Sequence, residues 1–462
     1  MFITFSSKVR SGGRVRETPS SLTLAWARHL LSLKPGGSAQ VIDAARRGLT
    51  DYLACALGGA ADPAIDKVVA AFAPAAGAAT VIARGQALDA LSAALINGYS
   101  GHALDYDDVQ RSVRGHPSTV LLPALLALAQ TRGISGHKLL SAYAVGVEAM
   151  GRLGLAVGGA HYEAGFHNTA TLGTIATAAA CGWLIGLSEQ ELAIAIGLAV
   201  TQSSGLRLQF GSSAKPLHAG LAARNGLSSA LLAEAGLGGA AESLAWRGGF
   251  LEVYGFAQSS PEKLLERGGN WQILSPGLIF KRYASCAATH HAADAALMLR
   301  AEYRISPSTI THITVTFPPG LTTPLARELP PTRQAGRFSV EYVVAYALVH
   351  GHLDAPAFAT GDVDAEVAGL MARVRVVTDE QAASITQPPF ARFSVVEVFG
   401  SDGEHLSLRA DAPRSGNPEE KLLAAAGSAV RGAAVLSAIA NLDDAQSLQQ
   451  LLNALAAPVT HH

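Results

Sequence analysis

Apolar residues recur at three- and four-residue spacing through most of the first 265 residues, which is the pattern of helices that bury one face. The strongest examples are Val41–Ala56, Leu88–His102, Gly136–Gly151 and Glu189–Ser203, separated by glycine-containing breaks. Several of these segments carry alanine on nearly every side, so they must lie centrally in a multi-layer bundle or in a subunit interface. The pattern predicts an all-helical domain in a chain that forms homo-oligomers.

The pattern changes to short strands after residue 270. Four runs alternate apolar with polar residues or are rich in β-branched residues, and they lie at 311–317, 372–377, 395–399 and 405–408. Between them, Val340–His350 has the spacing of a helix. Strands mixed with a helix predict an α+β unit in this part of the chain.

The predicted fold class is therefore mainly α, with a large all-helical domain and a smaller α+β lid domain. The lid is assigned to residues 271–409. Because residues 419–455 are helical again, they are predicted to pack back onto the first domain. That domain is then discontinuous and comprises residues 1–270 and 410–462.

Composition excludes several classes of partner. With 35 basic and 36 acidic residues, the formal net charge is −1, so a nucleic-acid partner is not expected. Three scattered cysteines, Cys55, Cys181 and Cys286, favour reduced thiols in the cytoplasm over disulfides or a cysteine zinc site. No apolar stretch of signal-peptide length follows the basic residues at 8–16, and the weakly apolar run 169–187 predicts a buried helix, not a membrane span.

Polar residues are concentrated at 101–116, a segment that holds His102, His116 and three aspartates in a chain that is only 15% charged. Asp and His are the side chains that move protons at carbon or polarise a hydroxyl. Their spacing matches neither a helical zinc pair nor a calcium loop, so no metal is expected. The segment predicts one wall of a site.

Four further segments carry candidate site residues. His167 directly precedes the 169–187 run, where Asn168 or Thr169 could cap the helix, and the helix start would attract an anionic substrate. Lys215 precedes a proline at the start of an apolar helix, and His218 and Arg224 extend a set of cations suited to carboxylates. The remaining candidates are Lys281, which begins a polar run, and Tyr342, which lies at a helix start.

Several ordered motifs resemble the MmgE/PrpD family, which includes 2-methylcitrate dehydratases, cis-aconitate decarboxylases and iminodisuccinate epimerase. The resemblance runs from about residue 25 to about residue 410. Its carriers are His102-Ala-Leu-Asp-Tyr-Asp-Asp, Gly115-His-Pro-Ser, Gly165-Phe-His-Asn-Thr, Lys215-Pro-Leu-His-Ala-Gly, Pro276-Gly-Leu with Lys281-Arg-Tyr-Ala-Ser-Cys, and Phe338-Ser-Val-Glu-Tyr.

The resemblance implies a large helical domain and a smaller lid, a homodimer, an active site between the domains, and neither metal nor organic cofactor. Six residues match the family's active-site positions: Asp105, His116, His167, Lys215, Lys281 and Tyr342. We expect the lysines, with Arg224, to bind and neutralise carboxylates, and His116 or His167 to be the general base. The other histidine or Tyr342 would be the acid, and Asp105 would orient a histidine, while His102 and His218 complete the substrate-binding set.

One departure concerns the reaction itself. The dehydratases and decarboxylases commonly have Thr-Trp after the Asp-rich motif, whereas Val109-Gln110 stands here, and the connector to His116 with Arg114-Gly-His-Pro-Ser looks more like the epimerase. The first hypothesis is a hydro-lyase that acts on a small di- or tricarboxylate, similar to 2-methylcitrate dehydratase. The alternatives are an epimerase of an iminodisuccinate-like acid, a decarboxylase of the cis-aconitate type, and a non-catalytic carboxylate-binding protein.

Overall fold

The structure is a computed structural model that describes residues 21–72, 76–245, 247–266, 270–385, 391–412 and 414–458; the basic residues at 8–16 and the predicted change of pattern at 267–269 lie outside these ranges. Its α-helices are α1 Leu22–Ser32, α2 Ala39–Gly59, α3 Ile65–Phe72, α4 Ala90–His102, α5 Ser118–Arg132, α6 Gly136–Val157, α7 Gly159–Glu163, α8 Asn168–Ile185, α9 Glu189–Val200, α10 Ala214–Glu234, α11 Phe250–Gly255, α12 His290–Tyr303, α13 Val340–His350, α14 Ala365–Met371, α15 Pro418–Ala425, α16 Ala429–Ala440 and α17 Ala445–Ala456. Its strands are β1 Ala76–Val81, β2 Gln86–Leu88, β3 Ile310–Phe317, β4 Val374–Thr378, β5 Ser394–Gly400 and β6 His405–Ala410.

The predicted fold class is confirmed, because helices dominate and the larger sheet is confined to the second half of the chain. Local chemistry sets where the long helices begin. Ser38, Asp89, Ser135 and Ser188 stand at the N-caps of α2, α4, α6 and α9, where each side chain accepts a backbone N–H of the first turn. The antiparallel hairpin of β1 and β2 is an addition within the helical part that the periodicity did not predict.

The described residues bury two separate hydrophobic cores. The larger core contains residues between Trp26 and Ile273 and again between Leu422 and Leu455, so the C-terminal helices pack on the N-terminal ones. The smaller core contains residues between Tyr283 and Ala410. The exact division at residues 270 and 410 stays a prediction.

The smaller core is built on a four-stranded sheet with the order β4-β3-β5-β6. Strand β3 is parallel to β4 and antiparallel to β5, with Val315 opposite both Val376 and Val396. Alternate residues of β3 are buried, as the period of a half-buried strand requires. Helices α12 and α13 pack with this sheet to close the core.

Close contact between α4 and α10 fixes the position of the later site. A β-carbon on Gly98 would lie 2.9 Å from the Cα of Gly220, so a larger residue would force the two backbones apart. Through this contact the C-terminal end of α4 lies beside the N-terminal end of α10. His102 and Lys215 are thereby brought to the same end of the helix pair.

One described helix, α6, is long and apolar enough to span a membrane, yet 94% of its apolar window is buried inside the protein. It packs against α5 and α8 as a core helix. Helix α8, which contains most of the 169–187 run, is likewise buried along nearly its whole length.

A buried ion pair attaches the C-terminal helices to the larger core. The Nζ of Lys421, on α15, donates to Asp51 Oδ1 on α2 at 2.5 Å and to the Tyr106 carbonyl at 2.9 Å. The side chains of Lys421 and Asp51 are 3% and 0% exposed. Removing one partner of such a pair leaves an uncompensated buried charge.

We therefore expect Lys421→Met to lower the free energy of unfolding by about 3 to 5 kcal/mol. Urea denaturation of the purified chain measures the change. Lys138→Met, which removes an exposed lysine of α6, is the control and should change stability by less than about 0.5 kcal/mol. A loss no larger than that of the control would show that Asp51 needs no counter-charge.

Candidate active site

Asp105 lies at the centre of the site, three residues beyond α4. Its carboxylate accepts a hydrogen bond from the ammonium of Lys215 and lies 3.1 Å from the ammonium of Lys281. All three residues are at most 4% exposed. Its backbone adopts a left-handed conformation with φ of 49°, and its carbonyl accepts a hydrogen bond from Lys281 Nζ at 2.5 Å. Both the side chain and the backbone of Asp105 therefore bind cations.

The second lysine reaches Asp105 through a short backbone pairing between the two halves of the chain. Val109 and Ile279 exchange N–H···O bonds of 2.9 and 2.8 Å, and Lys281 follows two residues later. Val109, the position at which the sequence departs from the resembled motif, presents an apolar side chain. The pairing holds that position beside the site in spite of the substitution.

His102 and Asp107 form a buried hydrogen-bonded pair. His102 Nδ1 lies 2.8 and 3.0 Å from the two carboxylate oxygens of Asp107, and both side chains are fully buried. Because a carboxylate only accepts, Nδ1 carries the proton, and Nε2 then presents a lone pair in the neutral ring. Nε2 has no hydrogen-bond partner among the described residues. This is the arrangement of a general base held in one tautomer.

His116 lies next to this pair. Its Nδ1 donates to the Asp108 carbonyl at 2.8 Å, its Nε2 lies 3.9 Å from Asp105 Oδ1, and its ring centroid lies 4.7 Å from that of His102. The expectation that Asp105 orients a histidine is not supported by this geometry. In the described structure Asp107 accepts the histidine hydrogen bond, and Asp105 binds the lysines instead.

His167 extends the histidine group at the start of α8. Its ring stacks on that of His102 at 5.8 Å, and its Nδ1 lies 3.2 Å from Nδ1 of His218. The predicted caps are wrong: Asn168 donates to the Val113 carbonyl, and Thr169 Oγ1 accepts from the His116 N–H. Both side chains tie the helix to the loop around His116, which leaves the first-turn amides without a side-chain cap.

Burial and the lysine charges keep the histidines neutral and Asp105 ionised. Burial lowers the pKa of His116 to about 3 and that of His218 to about 4. Burial, and after it the charge of Lys215, hold the pKa of His167 well below its usual range. For His102, burial lowers the pKa although the charge of Asp107 raises it. Although burial opposes it, attraction to Lys215 and Lys281 holds the pKa of Asp105 well below its ordinary value.

A cavity of about 320 Å³ lies beside this cluster, although His116, His167, His218 and Lys281 are not among the residues that line it. His102, Asp105, Lys215 and Arg337 line it, and Asp62 and Lys67 lie at other parts of its wall. The volume is sufficient for a six-carbon acid with ordered water, since ligand pockets begin at about 300 Å³. Fixed cations beside neutral imidazoles suit an anionic substrate that exchanges protons.

Two of the predicted residues are not brought into this group. Arg224 lies nine residues after Lys215, which on an α-helix is half a turn out of phase; its guanidinium lies over the ring of Phe72 at 5.6 Å. The Tyr342 hydroxyl donates to the Ala357 carbonyl inside the smaller core. Their proposed roles in binding and proton transfer stay predictions, without a contact here to support them.

Sequence reasoning missed Asp107 and Arg337. Asp107 is not among the predicted site residues, because one carboxylate in a cluster cannot be told from another by spacing. Arg337 directly precedes the Phe338-Ser-Val-Glu-Tyr motif and is not among the predicted site residues. Phe210 and Phe338 were missed as well, although each ring lies 5.0 Å from the Lys215 ammonium. Only the folded contacts distinguish these residues from their neighbours.

The side chains of His102, Asp105, Asp107 and His116 place ligand-type atoms within 4.8 Å of one another, a grouping that the sequence spacing did not suggest. The donor set alone would suit a divalent cation. However, two lysine ammoniums already bind Asp105, and their positive charge opposes a third cation at the same carboxylate. The arrangement favours an anion in the adjoining cavity.

Replacing Lys215 with Met should lower the free energy of unfolding at neutral pH, because Asp105 loses one of its two counter-charges while it remains buried. We expect a loss of about 3 kcal/mol at pH 7, the lower end for a broken buried pair, since Lys281 remains. Asp105 has a depressed pKa in the folded state, so its contribution is present above the unfolded value near 4 and is lost as pH falls further. Because loss of Lys215 raises the pKa of folded Asp105, acid protonates Asp105 in the variant before it does so in the wild type, and the difference between the two should shrink as pH falls.

Denaturant midpoints at pH 7 and pH 3.5 test this expectation, with Lys138→Met again as the exposed-lysine control. A difference that grew on acidification would contradict the assigned ionisation of Asp105.

Both halves of the chain match models of one protein family. Residues 27–262 match the MmgE/PrpD N-terminal domain, and residues 283–425 match the MmgE/PrpD C-terminal domain. The chain is 30% identical over 413 residues to cis-aconitate decarboxylase of Aspergillus terreus, which covers 83% of this chain and 84% of the relative. It is 29% identical over 430 residues to cis-aconitate decarboxylase-like protein oryM of Aspergillus oryzae, covering 86% and 87%.

A further relative is human cis-aconitate decarboxylase, which is 33% identical over 276 residues. That match covers 58% of this chain and spans 56% of the human protein. The two matches together contain the whole smaller core, most of the larger core, and the site residues His102, Asp105, Asp107, His116, His167 and Lys215, while Lys281 lies between them. On these grounds the chain belongs to the MmgE/PrpD family.

Proposed function

We propose that this protein is a cofactor-independent lyase that decarboxylates a small unsaturated tricarboxylate, with cis-aconitate as the first candidate substrate. The observation that carries the proposal is the cavity wall, on which Lys215 and Asp105 lie beside the neutral His102. Relatives named cis-aconitate decarboxylases that align along most of the chain support the choice of acid.

Decarboxylation of cis-aconitate would proceed as follows. The bond between the CH₂ carbon and its carboxylate breaks, and CO₂ leaves. The electron pair moves through the double bond to the carbon beside another carboxylate, which becomes an enediolate. A proton then adds to that carbon and gives a five-carbon unsaturated dicarboxylate. The enediolate is the high-energy species, and fixed positive charges stabilise it.

Lys215 and Lys281 are the cations placed for this task. Each ammonium has three N–H donors, so a lysine that binds Asp105 retains donors for a substrate carboxylate. Asp105 keeps both lysines in place before substrate arrives, and the cost of ordering them is met during folding. Asp105 thus acts on the substrate through the lysines.

The proton would come from a histidine. In the free site burial keeps His102 and His116 neutral. A bound trianion reverses the balance, because its charge favours the imidazolium form and raises the pKa of nearby rings. His102 is the better placed of the two, since Asp107 holds its ring and leaves Nε2 free for a proton.

A hydro-lyase is the second candidate. Neutral His102 with its lone pair on Nε2 could take a proton from carbon beside a carboxylate, which is the first half of a dehydration. Dehydration also needs an acid for the departing hydroxyl, and Val109 supplies none. Because Val109 departs from the pattern of decarboxylases as well, the preference for decarboxylation rests on the relatives of that name that align along most of the chain.

The test is incubation of the purified chain with cis-aconitate and, separately, with 2-methylcitrate in deuterium oxide. We expect release of CO₂ from cis-aconitate and one deuterium in the five-carbon product, observed by nuclear magnetic resonance. Formation of an alkene from 2-methylcitrate without CO₂ release would identify the hydro-lyase instead. Exchange at carbon in an iminodisuccinate-like acid would favour the epimerase, and stabilisation by these acids without turnover would favour a binding protein.

Asp107→Asn should lower kcat on cis-aconitate by about 10²-fold or more, because the amide allows the wrong tautomer of His102 and removes the charge that stabilises its protonated form. The melting temperature and KM should change little. The control is Asp294→Asn, which alters another buried carboxylate, one that accepts from Tyr283 in the smaller core. Wild-type kcat in Asp107→Asn would remove His102 from the reaction.

A further inference from the structure

Arg337 is a buried cation that faces the cavity without an acidic partner. It is 8% exposed and lines the cavity together with Asp105 and Lys215. Among the described residues, no carboxylate oxygen lies within 4.0 Å of its guanidinium nitrogens. An unpaired buried charge is costly, so an arginine kept in this state suggests an anion that arrives from outside.

The guanidinium is held rigidly between the two parts of the chain. Nη1 donates to the Ala103 carbonyl at 2.8 Å, just beyond α4, and Nη2 donates to the Phe358 carbonyl at 3.0 Å in the smaller core. These bonds use two of the five N–H donors of the group. Nε is buried without a partner among the described residues. Arg337 is therefore already ordered, with donors left over.

The charges around the cavity differ between its parts. Lys215 and Lys281 are partly balanced by Asp105, which both of them contact. Arg337 is bound only to neutral carbonyls. Burial lowers the pKa of Arg337 although Asp62, on the cavity wall, and Asp105 raise it, and neither carboxylate forms an ion pair with it among the described residues. Arg337 is thus the buried cation of the cavity wall that has no ion pair among the described residues.

Decarboxylation as proposed assigns roles to two of the three substrate carboxylates: one leaves, and one becomes the enediolate. The central carboxylate of cis-aconitate takes neither role, yet its charge must still be bound. A planar guanidinium matches a carboxylate geometrically, and a lysine does not.

We propose that Arg337 binds this central carboxylate and thereby makes the site select tricarboxylates over dicarboxylates. The inference rests on the proposed function, since it assigns a further part of the same site. It concerns binding and selectivity, so it is tested without turnover.

The probes are propane-1,2,3-tricarboxylate and glutarate, which differ only in the central carboxylate and cannot react. Isothermal titration calorimetry of the full chain measures both dissociation constants. We expect the wild type to bind the tricarboxylate at least tenfold more tightly than glutarate. In Arg337→Gln the tricarboxylate should lose at least tenfold in affinity and glutarate less than threefold, so the preference disappears.

Two further variants separate this effect from general damage. Arg337→Lys keeps the charge but loses the planar fork, so its preference should fall by at least threefold while the protein stays folded. Arg300→Gln is the matched control, because Arg300 also donates to two backbone carbonyls, those of Ile305 and Val349, and does not line the cavity. Its preference should equal that of the wild type.

A tricarboxylate preference that survives in both Arg337 variants would overturn the inference, as would a wild type that binds the two acids equally. A preference that depends on Arg337 in a protein that releases no CO₂ from cis-aconitate supports the subsite and overturns the decarboxylase proposal. Release of CO₂ combined with a preference that Arg337→Gln leaves unchanged overturns the subsite alone.

Discussion

The site depends on one buried carboxylate that binds two lysines. Asp105 follows α4, Lys215 lies on α10, and Lys281 lies in the segment that leads into the smaller core. Three segments that are far apart in sequence are therefore joined at the carboxylate of Asp105. Ionised groups with almost no exposure are stable only when their charges are paired, so the fold must bring these elements together or bury unpaired charges.

This constraint also sets the chemistry. Two ammoniums held by one carboxylate leave a site that attracts anions and lowers the pKa of nearby imidazoles. His167 shows the effect directly, because the charge of Lys215 adds to burial in lowering its pKa. His102 differs from an ordinary buried histidine, because Asp107 fixes its ring and Nε2 has no hydrogen-bond partner among the described residues. A neutral base and fixed cations are thus present before any substrate enters.

Much of the fold was predictable because it follows from local patterns. Helix α13 was predicted at its observed bounds, as an apolar segment that is buried along nearly its whole length. Strand β3 was predicted within one residue because most of its buried residues alternate. The hairpin of β1 and β2 was missed because its residues are mainly small and lack a clear alternation. The homodimer and the cytoplasmic location stay predictions.

The sequence by itself determined the helices, the strands, the family and most of the polar residues of the site, because periodicity and ordered motifs are properties of the chain. Only the tertiary structure decided which of those residues act together. Asp105 and Asp107 are two positions apart, yet one binds lysines and the other a histidine, and Arg224 and Tyr342 lie apart from both. The physical reason is that pairing of buried charges depends on distances of a few ångströms between elements far apart in sequence.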